Sequence, residues 1–128
     1  MPFARIDLVK GRSAAERQAI GEAVYQALLS IGVPDEDRFQ VVAAHDLENF
    51  IFSKTYLNVA RTEALIFIQI TMNEGRTVEL KRALCAGIAD RLEALGQRRQ
   101  DVFINLVEVK KENWSFGDGV AQYAPADA

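Results

Sequence analysis

The chain has 128 residues, of which 49% are hydrophobic and 26% are charged, and its 15 Lys and Arg against 18 Asp and Glu give a formal net charge of −3. These values are typical of one ordinary globular domain, so intrinsic disorder is excluded as the default description. The acidic balance lacks the basic excess that neutralises phosphates, so we expect no nucleic-acid partner.

The single cysteine, Cys85, and the single histidine, His45, limit the chemistry of the chain. One cysteine excludes an intramolecular disulfide and a multi-cysteine metal site, and in mid-helix we expect Cys85 to be a small buried hydrophobe. Because one histidine without supporting spacing makes neither a zinc site nor a Ser-His-Asp triad, we expect no metal site. No partner for His45 is visible in the sequence, so we expect it to be structural or on the surface.

The first residues carry Arg5 and Asp7 and lack a long apolar core, so they do not resemble a secretory signal. No window approaches the roughly 20 apolar residues of a membrane span. A reducing compartment also agrees with the cysteine count. We therefore expect a cytoplasmic protein that does not contact a membrane.

The first third of the chain predicts a strand, a helix and a second strand. Alternating residues favour a strand over residues 3–9. Ser13 followed by Glu16 is a capping-box pattern, and Gly32 stands where a left-handed residue ends a helix, so a helix should span about residues 14–30. Residues 38–44 are apolar enough for a second strand.

The middle of the chain begins with a connection over residues 45–61, which shows no sustained period and is expected to hold a turn or short helix near residues 50–54. The apolar, β-branched run at residues 64–71 is the strongest strand signal. It is typical of a central strand buried on both faces.

The last part of the chain predicts a second helix, which Thr77 caps and Gly96 ends. Another strand is expected over residues 102–109. The segment that follows is rich in glycine and aromatic residues and contains the only tryptophan, Trp114.

The two halves of the chain align when the sequence is shifted by 64 residues, half of its 128. Residues 11–13 (Gly-Arg-Ser) then fall on residues 75–77 (Gly-Arg-Thr), and Gly32 falls on Gly96. Any two β-α-β units share such helix signals, but their alignment without a gap favours a duplication.

Two β-α-β units, each with a right-handed crossover, bury their apolar surfaces when they pair. We therefore predict an α/β (α+β) fold with one four-stranded mixed sheet and two helices on one face. It should form a single domain over residues 1–128. The first repeat is expected at about residues 2–45 and the second at about residues 64–109. A connection at residues 46–63 joins them, and an aromatic C-terminal segment follows at residues 110–128.

On these residues the chain resembles the tautomerase superfamily, and more narrowly its malonate semialdehyde decarboxylase branch. The likeness covers essentially the whole chain and rests on four motifs: Met1-Pro2, Asp37-Arg38-Phe39-Gln40, Gly75-Arg76-Thr77, and Asn-Trp-Ser-Phe-Gly-Asp-Gly at residues 113–119. The last motif is the most specific. The resemblance implies a catalytic amino-terminal proline exposed by removal of Met1, no metal or organic cofactor, and a homotrimer.

The chemistry of Pro2 follows from its nitrogen, a secondary amine once Met1 is removed. An α-amino group has a pKa of about 7.7–8.0; apolar burial lowers that pKa and a nearby carboxylate raises it, so the surroundings choose between general base and general acid. The nitrogen can also add to an aldehyde to form an iminium. The alternatives are that Pro2 merely starts an edge strand, or that Met1 is retained and the nitrogen is an amide without a basic lone pair.

Arg76 lies in the turn before the second helix, where its guanidinium can bind a small carboxylate in bidentate fashion. The alternative is a solvated arginine that pairs with Glu74 or Glu79. The best-known form of the branch has two arginines around this turn, whereas this chain has only Arg76 there. We therefore expect Asn73 to help orient the substrate.

The resemblance implies that Asp37 acts with the proline, by hydrogen bonding or by activating water. The alternative is that Asp37, like its repeat partner Asp101, caps a turn. Three aromatic residues, Trp114, Phe116 and Tyr123, are implied to form the apolar wall of the substrate pocket; alternatively they belong to the core or to a subunit interface.

The resemblance thus implies an enzyme that acts on a small 2-oxo or 3-oxo acid with Pro2, Asp37 and Arg76 as catalytic residues. Decarboxylation of a malonate semialdehyde-type substrate is the specific expectation. Keto-enol tautomerisation or hydration by neutral Pro2 is the alternative among enzymes. A non-catalytic oligomeric or binding protein that keeps the fold is the alternative outside them.

Overall fold

The structure is a computed structural model, and it describes residues 2–126. Its strands and helices, in chain order, are β1 (Phe3–Val9), α1 (Ala14–Ser30), β2 (Phe39–His45), β3 (Ile66–Asn73), α2 (Val78–Ala94) and β4 (Val102–Val109). The strands form one sheet in the order β2-β1-β3-β4. Strand β1 is parallel to β2, β3 is parallel to β4, and β1 is antiparallel to β3. This confirms the predicted four-stranded mixed sheet built from two β-α-β units.

Both helices begin and end where their local signals predict. The Ser13 hydroxyl accepts the Glu16 backbone N–H at 3.1 Å, and the Glu16 carboxylate accepts the Ser13 backbone N–H at 3.2 Å, which completes the capping box of α1. The Thr77 hydroxyl caps α2 by accepting the Leu80 backbone N–H at 3.2 Å. Gly32 and Gly96 follow the two helices with φ of 98° and 94°, a left-handed conformation that other residues adopt at a cost.

The core lies between the two helices and one face of the sheet. Alternate residues of β1 and β3 face the helices, as a strand's two-residue period requires. The buried cluster is formed by Ala4, Ile6, Leu8, Ile66, Ile68, Ile70 and Met72 of the strands with Ile20, Ala23, Val24, Ala27, Leu28, Val33, Leu84, Ile88 and Leu92 from the helices and their ends. Two helices therefore cover one face of the sheet, as predicted.

Strand β3 is central, as predicted, but the expectation that it is buried on both faces is wrong. Its even-numbered residues are buried, whereas Phe67 is half-buried and Gln69 is exposed. The reason is that both helices pack on the same face. The helices therefore cover only one of the two faces of β3. The apolar residues on its other face, such as Phe67, lie on the side of the sheet away from the helices.

The connection between the two repeats also differs from its prediction. Short 3₁₀ turns lie at Leu47–Asn49 and Tyr56–Asn58, and the expected turn at residues 50–54 is absent. Phe50 is buried there instead, with its ring centroid 4.9 Å from that of Phe67. Burial of this aromatic ring anchors the segment against the sheet.

The sheet face turned away from the helices, which we call the open face, carries apolar and polar side chains together. Phe39 is 53% exposed and Phe103 is 43% exposed on it. Polar members include Arg5, Gln69 and Asn105, of which the last two share a hydrogen bond of 3.0 Å. Among residues 2–126, no helix is long and apolar enough to cross a membrane.

Candidate active site

Pro2 is buried at the start of β1, at the end of the sheet where β2 also begins. It lines a cavity of about 260 Å³ together with Phe3, Phe39, Trp114, Ser115 and Phe116. The structure therefore brings the predicted catalytic proline to two of the three predicted wall residues. Met1 lies outside the described residues, so its removal stays a prediction.

Asp37 lies in the turn that leads into β2 and is 5% exposed. Its backbone N–H donates to the Pro34 carbonyl at 3.1 Å. Since Phe39 is opposite Phe3 in a parallel pair, the residues that precede both strands lie side by side. The register thus brings the Asp37 turn beside the start of the chain, where Pro2 lies.

Arg76 is half-buried in the turn between β3 and α2, and its guanidinium donates to the Asn73 carbonyl at 3.2 Å. Among the described residues it makes no ion pair within 4.0 Å with Glu74 or Glu79, the partners that the alternative expected. Glu108 lies nearby: its pKa is lowered, chiefly by the hydrogen bond from Lys81 and in part by the charge of Arg76. The remaining guanidinium donors of Arg76 are suited to an anion.

Asn73 joins the aromatic segment to the arginine turn. Its side-chain oxygen accepts the indole N–H of Trp114 at 2.7 Å. The Trp114 ring stacks on Phe116 at 5.6 Å between centroids and 14° between planes, and Phe116 meets the edge of Tyr123 at 5.5 Å. The predicted wall residues are thus one continuous aromatic cluster, attached through Asn73 to the turn of Arg76.

The aromatic cluster is open to solvent on one side in a single copy of the chain. Phe116 is 37% exposed and Tyr123 is 50% exposed. The wall of the Pro2 cavity is therefore partly exposed to solvent at Phe116. The wall places the apolar rings of Trp114 and Phe116 beside the proline.

Two models of the tautomerase enzyme family match the sequence, one at residues 37–117 and the other at residues 2–60. The first covers more than half of the chain. The chain belongs to the tautomerase family. Two relatives in Bacillus subtilis (strain 168) are each described as a probable tautomerase: YusQ is 42% identical and covers 95% of this chain and 98% of its own length, and YrdN is 31% identical and covers 96% of each chain.

Several solved structures of other proteins share the fold of this chain. The FG41 malonate semialdehyde decarboxylase inhibited by 3-bromopropiolate has a TM-score of 0.88 and 38% identity, covering 94% of this chain and 93% of its own. A second malonate semialdehyde decarboxylase, described with decarboxylase and hydratase activities, has a TM-score of 0.87 and 30% identity over 94% of each chain. A fused 4-OT in a symmetric trimer, with 23% identity and a TM-score of 0.77 over 92% of this chain and 94% of its own, shows the fold alone.

His45 has a partner that the sequence prediction missed. Its Nε2 lies 2.7 Å from the Asp7 carboxylate, and the Arg5 guanidinium lies 4.0 Å from the same oxygen. The pair is separated by 38 residues in sequence and meets because β1 and β2 are parallel, with these side chains on the same face. The predicted strand pairing together with the two-residue period could have found it.

The His45–Asp7 pair lines a larger cavity of about 580 Å³ on the open face, with Phe50, Phe67 and Phe103 among its walls. It lies toward the end of β1 opposite to Pro2, so it is not part of the proline cavity. His45 is thus paired with Asp7 rather than alone, and its structural role stays a prediction.

The remaining candidates are side chains that could bind a metal ion, and the single cysteine. Among residues 2–126 no three His, Cys, Asp or Glu side chains are grouped so as to hold a metal ion. Cys85 is half-buried rather than fully buried, and burial raises the pKa of its thiol, which keeps it in the unreactive protonated form.

Proposed function

We propose that this tautomerase-family chain is a cofactor-independent enzyme that uses the Pro2 nitrogen, freed by removal of Met1, on a small oxo acid. Decarboxylation of a malonate semialdehyde-type 3-oxo acid is the proposed reaction. The observation that carries the proposal is the cavity in which Pro2 is buried against Trp114 and Phe116. The hydrogen bond from Trp114 to Asn73 then links that cavity to Arg76.

In the proposed mechanism, Arg76 binds the substrate carboxylate through the guanidinium donors that face solvent. Pro2 as a cation donates a hydrogen bond to the carbonyl oxygen of the substrate. The bond between the carboxylate and the adjacent carbon then breaks, CO2 leaves, and its electron pair forms an enolate that the polarised carbonyl stabilises. The enolate carbon takes a proton from Pro2, so malonate semialdehyde yields acetaldehyde and CO2.

Asp37 and the aromatic wall set the protonation of Pro2 in this proposal. A carboxylate beside the nitrogen raises its pKa and favours the cation, whereas the rings of Trp114 and Phe116 lower it. Asp37, buried in the turn beside the chain start, assists by a hydrogen bond or by activating water. The wall also excludes water, which strengthens the attraction between Arg76 and an anion.

Keto-enol tautomerisation and hydration are the second candidates, because related proteins are described with these activities. The 42% identical relative is described as a probable tautomerase, and a neighbouring decarboxylase is described with hydratase activity. In keto-enol tautomerisation, neutral Pro2 removes a proton from the carbon beside the carbonyl and returns it to another atom. In hydration, Asp37 activates the water.

The dependence of the rate on pH separates these reactions. A decarboxylase that needs the Pro2 cation loses activity as the pH rises through the proline pKa. A tautomerase that needs neutral Pro2 gains activity over the same range. A rate that rises as Pro2 loses its proton would contradict the decarboxylase proposal.

A homotrimer is the proposed assembly. It is supported by the exposed apolar residues Phe39, Val41 and Phe103 on the open face, by the outer edges of β2 and β4, and by the trimer described for a neighbouring fused 4-OT. Sedimentation of the purified protein checks it: a mass of three chains is expected, and a monomer at all concentrations would overturn it.

The proposed activity is tested by proton NMR with malonate semialdehyde and with phenylpyruvate, using protein whose intact mass lacks Met1. Acetaldehyde from the first substrate is the expected product. Ketonisation or enol exchange of phenylpyruvate alone would support the tautomerase reaction instead. A mass that includes Met1 would defeat the proline mechanism, and neither reaction at any pH would favour a non-catalytic protein.

A further inference from the structure

We propose that Asn73 is a positioning residue: its side chain holds the aromatic segment, residues 110–126, over Pro2 and so shapes the substrate cavity. The proposal rests on the proposed function in that Pro2 is taken as the reacting group. It differs from the sequence expectation that Asn73 helps to orient the substrate by direct contact.

The aromatic segment is held to the rest of the molecule by few polar contacts. After β4 it contains one short 3₁₀ turn, Lys111–Asn113, and its other backbone hydrogen bonds are local turns. Gln122 bonds only to Phe116 and Gly117 within the same segment. Within residues 2–126, the bond from the Trp114 indole to Asn73 is the only hydrogen bond from this segment to the remainder of the chain.

Asn73 is well placed to act as the fixed end of that bond. It is the last residue of β3 and lies opposite Val109, the last residue of β4. The next residue, Glu74, donates its backbone N–H to the Val109 carbonyl at 2.9 Å. The Asn73 backbone carbonyl accepts from Arg76. Because its backbone is held by the sheet and the turn, its side chain has a defined position.

The placement of Trp114 determines the shape of the cavity around Pro2. Trp114 and Phe116 both line the cavity of Pro2, and Phe116 also contacts Tyr123. The 2.7 Å bond anchors the indole of Trp114, and the stacked ring of Phe116 packs on that indole. Loss of the bond should therefore loosen the whole wall and leave Arg76 in place.

The chemistry of the Asn73 side chain argues against direct binding of the substrate carboxylate by its oxygen. That oxygen is an acceptor, already used by the indole N–H, and would repel an anion. Arg76 beside it supplies the charged donors instead. Through this oxygen Asn73 therefore acts on Trp114 and not on the substrate carboxylate.

The first test compares Asn73→Ala with Asn73→Asp by the fluorescence of Trp114, which is the only tryptophan. Asn73→Ala removes the acceptor, so the emission maximum should move to longer wavelength and a protease should cut residues 110–126 faster. Asn73→Asp keeps an acceptor oxygen, so its emission should stay near that of the parent protein. Unchanged emission and proteolysis in Asn73→Ala would overturn the proposal.

The second test separates positioning from general loosening. Asn105→Ala deletes a matched amide that accepts from Gln69 on the open face. Its emission should not change, and a shift as large as that of Asn73→Ala would contradict a specific role for Asn73. The melting temperatures of both variants should stay close to that of the parent.

The kinetic test uses malonate semialdehyde and a double-mutant cycle. Asn73→Ala should raise KM about tenfold with a smaller change in kcat, as expected for the loss of one half-buried hydrogen bond. Trp114→Phe removes the same donor and keeps a stacked ring, so the double variant should be no worse than either single one. Fully additive effects would overturn the proposal. If the parent protein turns over no oxo acid, the proposed function fails, whereas emission and proteolysis still decide the role of Asn73.

Discussion

The two repeats carry the same arginine in the same turn, and the structure uses each differently. The Arg12 guanidinium donates to the Ala64 carbonyl at 3.1 Å and to the Gln97 side chain at 2.8 Å. These two hydrogen bonds connect the first turn to the second half of the chain. Within the described part of the chain, residues 2–126, Arg76 donates only to the Asn73 carbonyl three residues away. Arg12 therefore binds protein, whereas Arg76 has donors left for a ligand.

The two aspartates of the repeats differ in a similar way. Asp101 is fully buried and accepts from the backbone and hydroxyl of Thr62 at 2.7 Å and 2.5 Å and from Arg98 at 2.9 Å. Asp37 lies instead in the turn before β2, at the same end of the sheet as Pro2. The two copies of the motif therefore differ in their surroundings: Asp101 binds protein groups, whereas Asp37 is the copy that we propose acts with Pro2.

The largest expected effect that separates the repeats is on activity. Arg76→Ala removes the charged donors for the substrate carboxylate, so kcat/KM for malonate semialdehyde should fall about a hundredfold. Arg12→Ala should leave kcat/KM near the parent value. Steady-state kinetics of both variants measure this, and equal losses in the two would break the distinction between the turns.

The next effect is on stability. Asp101→Ala removes the buried acceptor of the Thr62 backbone N–H, the Thr62 hydroxyl and the exposed Arg98 guanidinium, and the loss of these hydrogen bonds should cost about 3 kcal/mol of the free energy of unfolding. Asp37→Asn should change stability less but lower kcat about tenfold. Denaturant melts beside rate measurements check this pair, and the reverse pattern would show that Asp37 is the structural copy.

Arg12→Ala should have a smaller effect on stability, about 1–2 kcal/mol, because a half-buried Ala64 carbonyl and Gln97 lose one donor. The matched change Arg76→Ala removes one bond to a nearby backbone carbonyl and should cost less. Denaturation midpoints of the two variants at equal protein concentration measure the difference. A larger loss for Arg76→Ala would contradict the account.

The smallest effect concerns pH. The pKa of Glu108 is lowered, first by its hydrogen bond from Lys81, so the pair stabilises the fold above the ordinary glutamate pKa and loses that contribution as the pH falls through the lowered value. Lys81→Ala should reduce stability slightly at neutral pH and not at all in acid. Melts at several pH values test this, and a loss that persists in acid would rule it out.

Helix positions could be predicted from the sequence because their signals are local. Ser13 and Thr77 act on backbone groups three residues away, and Gly32 and Gly96 need only their own left-handed φ. The strand boundaries were less exact: β3 begins at Ile66 rather than at residue 64, because the Ala64 carbonyl is bound by Arg12 and Gln97 side chains.

The contacts of the candidate site could be predicted only in part. The residue types at Pro2 and Arg76 carry their chemistry on their own. The bond between Trp114 and Asn73 spans 41 residues, and that between His45 and Asp7 spans 38. The first bond depends on the path of the C-terminal segment, which no local pattern encodes, whereas the second follows once β1 and β2 are paired in parallel.

The Pro2 nitrogen is the group that we propose acts on the substrate. The most direct measurement is the rate of CO2 release from malonate semialdehyde by the parent protein and by Pro2→Ala, each shown by intact mass to lack Met1. Alanine keeps a free α-amino group but replaces a secondary amine held by a ring, so the account predicts a fall of about a hundredfold or more. Equal rates in the two proteins would contradict it.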